Sequence, residues 1–191
     1  MGLVNLENNI EVDDLVDWFL KKEIKIHGDW SIKRKNASPG GWAFQFNNKY
    51  YPDVDDTALV GMFLERYNRS KKKKSIKSVI ERTRKWIVSM QSKNGGWGAF
   101  DIDNTHYVLN SIPFADHGAL LDPPTSDVSA RCLSFLKQLD DNRDKDCIKK
   151  AVNFLLTEQE DNGSWYGRWG TNYIYGTWSV LSALNLVEFK N

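Results

Sequence analysis

The sequence of 191 residues has almost no charge of one sign to spare. Lys and Arg number 26 against 25 Asp and Glu, a formal net charge of +1. A general nucleic-acid binder carries a basic excess, so nucleic acid is not an expected partner. Cysteine is scarce: Cys132 and Cys147 are the two thiols, too few and too irregularly placed for a disulfide framework or a metal motif, and typical of a reduced, cytosolic chain. Long apolar runs are missing. The longest uncharged stretch, Trp169 to Val187, contains Thr171, Asn172, Thr177, Ser179, Ser182 and Asn185, which makes a poor bilayer span. The acidic start MGLVNLENNIEVDD lacks the basic and apolar regions of a secretory signal. There is no glycine-rich phosphate loop. His27, His106 and His117 share no ligand spacing with carboxylates or thiols, so they read as solvent or loop residues and no metal is expected.

Aromatic residues, by contrast, are plentiful: 13% of the chain, with eight Trp. Hydrophobic residues reach 41%, enough for one globular core. Apolar residues recur at helical spacing near 11–24, 54–68, 75–91, 126–139, 145–159 and 172–187, and no β-branched run alternates convincingly. Gly/Trp/Asn-rich stretches separate these segments, at 28–52, 93–125 and 160–171. The chain reads as all-α, with helices and structured loops in turn. The basic run from Arg69 to Lys74 (RSKKKK) reads as a solvated turn between two helices, with a lipid headgroup as its minor reading.

An internal repeat is present. In Trp86…Gln91…Gly95-Gly-Trp97 and Phe154…Gln159…Gly163-Ser-Trp165, an aromatic lies five residues before Gln, and Gln six before Trp. Trp18…Glu23 followed by Gly28-Asp29-Trp30 reads as a weaker third copy. A helical hairpin plus a loop fits the period. The Gln amide can satisfy backbone at a helix end, the Gly permits a tight turn, and the indole covers it. Gln91, Gln159, Trp97 and Trp165 are therefore expected to be structural.

The sharpest segment is Tyr50-Tyr51-Pro52-Asp53-Val54-Asp55-Asp56-Thr57-Ala58. Asp53 suits a helix N-cap with Asp56 at the third helical position, and acidic residues favour that end of a helix. Capping does not account for three carboxylates in four positions beside Phe44, Phe46, Tyr50 and Tyr51. Crowded like charges push one pKa up, and a carboxyl kept protonated among aromatic rings is a candidate Brønsted acid.

The segments GGWAFQFNNKYYPDVDDTA, QSKNGGWGAFDIDN, IPFADHGALLDPPTSDVSAR and NGSWYGRWGTNYIYGTWSVLSAL resemble, in order, segments of the squalene–hopene cyclase family. The Gln…Gly-x-Trp copies resemble its QW repeats, and DVDDTA its DxDD motif. The resemblance covers essentially the whole chain, which corresponds to a central-to-late slice of the longer family members. It implies that Asp55 is the acid that protonates a terminal alkene of squalene, that Asp53 and Asp56 tune it, and that Asp127 and Arg131 support it. It further implies that Phe44, Phe100 and Trp169 face and stabilise carbocations, that Tyr175 orders a hydrogen-bonded water near the acid, and that Phe114 and Ala115 belong to the substrate channel. Aromatic faces suit cations because they offer neither base nor nucleophile. Arg131 stands where some members carry His, and its charge is fixed.

The resemblance implies an arc of an (α/α) toroid made of three helical hairpins, with residues 1–191 forming one partial domain. It implies polycyclisation of squalene, or a similar polyprene, to hopene or hopanol, without metal or cofactor. It implies a monotopic protein on the cytoplasmic side of a bacterial membrane, whose barrel is completed by the remaining cyclase segments. Two other classes stay open: a class II terpene cyclase acting on another polyprene, and an inactive truncated product.

Overall fold

A computed structural model describes residues 10–45, 47–108 and 121–187. Among these residues lie six α-helices, α1 Ile10–Lys22, α2 Val54–Lys71, α3 Lys74–Ser89, α4 Ser126–Leu139, α5 Lys145–Thr157 and α6 Asn172–Asn185, with short 3-10 turns at Asp29–Ser31 and Asn142–Asp144. All six lie where the apolar periodicity places them. Among the described residues the only β pairing is three isolated bridges, Ile24 with Gly41, Trp42 with Asp53 and Trp97 with Thr125. The helices form two layers. α4 packs between α2 and α6, α3 backs α2, and α5 backs α4. One core, from Trp86, Trp97, Leu133, Phe135 and Phe154 to Val180, runs through the later hairpins; Val16, Leu64, Tyr67 and Ile76 join α1, α2 and α3 in a second. Close packing of α2 on α4 needs Gly61, because a Cβ there would lie 2.7 Å from the Phe135 ring. This two-layered arc of helical hairpins matches the α/α toroid architecture. No described helix is long and apolar enough to cross a membrane.

The repeat is built from one set of bonds. Trp97 donates its indole N–H to the Ile87 carbonyl at 2.8 Å, and Trp165 donates to Leu155 at 2.6 Å, each ten residues earlier. The Gln91 and Gln159 amides donate to the carbonyls of Gly95 and Gly163. Those glycines take φ of 96° and 83°, the left-handed region that glycine enters without penalty. The backbone N–H of each Trp is held by a hydroxyl on an inner helix, Ser129 on α4 and Thr177 on α6.

These bonds correct the third copy. Trp42, not Trp30, fills the position: its indole donates to the Phe19 carbonyl, four residues before Glu23, and its N–H is held by Thr57 on α2 at 2.9 Å. The loop between Glu23 and Trp42 is an insertion that the spacing rule cannot see through. Glu23 stands in for Gln, buried and paired with Arg82 of α3 at 2.7 Å. Trp30 instead packs edge-on against Trp86 and stacks with His27.

Candidate functional site

The repeat fixes the site. Counting from the three Trp-holding hydroxyls, Thr57, Ser129 and Thr177, the residue two positions earlier is Asp55 on α2, Asp127 on α4 and Tyr175 on α6. Three equivalent positions at the N-terminal ends of the three inner helices thus carry a carboxylate, a carboxylate and a phenol. Arg131, one helical turn beyond Asp127, joins two of them. Its Nε donates to Asp55 Oδ1 at 3.2 Å and its Nη2 donates to the Tyr175 hydroxyl at 2.5 Å, with the guanidinium 5.9 Å from the Tyr175 ring centre.

Asp53 is the N-cap of α2, accepting the N–H of Asp56 at 2.9 Å. It is buried, and loss of water raises its pKa to about 7, against the pull of the Asp56 N–H. Asp55 rises to about 6, also through burial first, while Arg131 opposes the rise and Asp127 adds to it. Asp56 is raised by burial as well. The three carboxyls differ in what they are free to do. Asp53 is engaged with backbone, whereas the Asp55 side chain keeps 24% of its surface exposed. That exposure, beside a fixed cation that stabilises the conjugate base, suits Asp55 to deliver a proton.

Asp127 does not bond Asp55. Its Oδ1 accepts from the Thr125 hydroxyl at 2.6 Å and from the Val128 N–H, and its Oδ2 accepts the Trp169 backbone N–H at 2.9 Å. It therefore fixes the loop that carries Trp169. Phe100 meets Trp169 edge to face, 6.4 Å between ring centres and 88° between planes. Phe44 is exposed and opens, with Asp56, onto an apolar groove of about 760 Å³ between α1 and α2, floored by Trp18, Phe19 and Trp42. Arg131 borders a second, polar groove of about 780 Å³ between α2 and α6. The residues singled out from the sequence thus form three groups: Asp55 with Arg131 and Tyr175, Asp127 with Trp169 and Phe100, and Asp56 with Phe44. Phe114 and Ala115 lie outside the described residues. No group of three or more His, Cys, Asp or Glu among the described residues could hold a metal ion.

Sequence reasoning missed Asp122 and the three hydroxyls. Nothing in the spacing of LDPP marks Asp122. The hydroxyls recur at one offset in each inner helix, a signal visible only once Trp42 is placed in the repeat.

Acids and aromatic rings thus gather near the N-terminal ends of the inner helices of a helical-hairpin arc. The profile of the Squalene-hopene cyclase C-terminal domain matches residues 4–191, and the chain belongs to this family. It is 55% identical to a squalene-hopene cyclase of Schizosaccharomyces japonicus over 175 residues, 91% of this chain and 26% of the relative. It is 54% identical to the squalene–hopene cyclase of Bradyrhizobium diazoefficiens, covering 92% and 27%, and 47% identical to that of Alicyclobacillus acidocaldarius, covering 90% and 27%. The chain spans about a quarter of the length of these relatives.

Proposed function

We propose that this chain is the acid-bearing arc of a triterpene cyclase that converts squalene, or a similar polyprene, to hopene or hopanol. The observation that carries the reading is Asp55: a carboxyl with a raised pKa, partly open, and backed by Arg131. Its proton adds to a terminal alkene, leaving a tertiary cation. Successive double bonds attack that cation and close the rings. The last cation loses a proton to give hopene, or adds water and releases one of the water's protons to give hopanol. Tyr175 and Arg131 hold the aspartate formed at the start, and the rings of Phe44, Phe100 and Trp169 stabilise the passing positive charge. No metal or cofactor enters this reading.

The arc is completed by further cyclase segments. α6 leaves Ile174, Trp178 and Leu181 with 79%, 57% and 55% of their surface exposed. The equivalent residues of α4 (Ser126, Ala130, Leu133) and of α2 (Val54, Ala58, Gly61) are buried under a neighbouring helix, so a further inner helix is what α6 is shaped to receive. The insolubility of squalene supports a membrane surface as the place of the assembled protein, and the reading puts it on the cytoplasmic side of a bacterial membrane.

The test is a graft: this chain replaces the segment it matches in the Bradyrhizobium diazoefficiens cyclase, and lipid extracts are analysed by gas chromatography after incubation with squalene. Pentacyclic product from the graft, abolished by Asp55→Asn with helix content intact, is the expected result. Near-parent activity of Asp55→Asn sinks the assignment. Turnover of another polyprene but not of squalene supports the other-substrate reading, and no turnover of either supports an inactive product.

A further inference from the structure

The side chain of Asp122, in the segment leading into α4, accepts three consecutive backbone N–H groups from a loop more than twenty residues earlier: Ala99 at 2.9 Å, Phe100 at 2.6 Å and Asp101 at 2.7 Å. The loop is wrapped directly onto the carboxylate. A Cβ on Gly98 would lie 2.6 Å from the Asp122 carbonyl oxygen and 2.8 Å from its carboxylate, so only glycine fits there. Hydrogen bonds donated to a carboxylate are the stronger kind, and three of them converging on one side chain fix a backbone closely. The same loop carries Phe100, whose side chain has no polar atom to orient it. Across from it, Asp127 holds the Trp169 backbone at 2.9 Å. The two rings meet at 88°. Each half of this aromatic corner is thus placed through its backbone by a buried or half-buried aspartate.

We propose that Asp122 is a positioning residue that sets the Phe100 side of the Phe100–Trp169 corner, and through it how far ring closure proceeds. The inference rests on the cyclase reading above. If the corner moves, an intermediate cation loses its aromatic partner. It then gives a proton to water before the later rings close: the C–H electrons become a C=C bond, water carries the proton away, and the product is an isomer of squalene with fewer rings. Asp122 touches no reacting atom in this scheme.

The test uses the graft and its Asp122→Asn and Asp122→Ala variants, read by product analysis and by hydrogen exchange with mass spectrometry. Asn keeps one carbonyl oxygen but turns an NH₂ group toward N–H donors. Exchange of the 98–103 peptide is expected to quicken by about tenfold or more, with protection elsewhere unchanged. Partly cyclised isomers are expected to rise to about a tenth of the product or more, with KM for squalene within about twofold of the parent. Unchanged exchange at 98–103 overturns the proposal, as does local loosening with the parent's product pattern, or loss of protection across the whole domain in both variants. A parent graft without cyclic product overturns the cyclase reading instead. Asp122's hold on the loop is then decided by exchange alone: local quickening supports it and no change overturns it.

Discussion

The Arg131 guanidinium on α4 meets the Asp55 carboxylate on α2 at 3.2 Å, across 76 positions of sequence. The contact bridges two repeats and acts on the acid in one direction: the positive charge lowers a pKa that burial raises. Arg131→Met in the graft removes that opposition. A cyclase that needs protonated Asp55 loses activity as pH rises through its pKa, so the variant's alkaline limb is expected to move up in pH. Turnover is expected to fall by about tenfold or more, because the aspartate formed by proton transfer is left uncompensated. A pH–rate profile that keeps the parent limb counts against the pairing.

Asp53 offers a stability test. Its folded pKa of about 7 lies above the ordinary value of 3.8, so the folded state binds the proton more tightly. Its contribution to stability is fully present below the unfolded value and is lost as pH rises through about 7. Asp53→Asn keeps a good N-cap and cannot ionise. Thermal melts at about pH 5 and about pH 8 are expected to show a smaller fall for the variant than for the parent. Equal falls would remove the case for a raised Asp53.

The repeat tryptophans are staples. Trp97 is fully buried and donates to Ile87. Trp97→Ala is expected to cost about 3–5 kcal/mol. Trp97→Phe, which keeps part of the ring and loses the indole hydrogen bond to Ile87, should cost less, about 1–3 kcal/mol. Denaturant melts measure both. An unchanged melt accompanied by new cyclisation products contradicts the structural role.

Residues 1–191 expressed by themselves are expected to yield no cyclic product and to self-associate or need detergent. Ile174, Trp178 and Leu181 on α6, with Phe44 and Trp169, present apolar surface to solvent, and such a patch is an interaction site or an aggregation liability. Water reaching Asp55 and any cation also defeats the chemistry. Pentacyclic product from a monodisperse preparation in size-exclusion chromatography overturns the incomplete-barrel reading.

The helices were legible in the sequence because apolar spacing is a local signal: α4 runs over 126–139 in both readings, and the others differ by at most three residues at an end. The Asp53 cap was legible for the same reason, since an N-cap and its partner N–H lie three residues apart. The two repeats with unbroken Gln-to-Trp spacing were legible too. The third was misplaced, because the insertion after Glu23 moved its tryptophan to position 42 while leaving a decoy at position 30.

By itself, then, the sequence determined the elements, the caps, two of the three staples and the three-carboxylate run, all set by interactions within a few residues. Tertiary structure alone decided which of those acids is free. Asp53 caps α2 by accepting the Asp56 N–H, and Asp55 stays partly open beside Arg131. It also decided that Asp122 belongs to the Phe100 loop. Such choices depend on which helix ends the packing of α2, α4 and α6 brings together, and burial, which moves a carboxyl's pKa most, has no value until those helices pack.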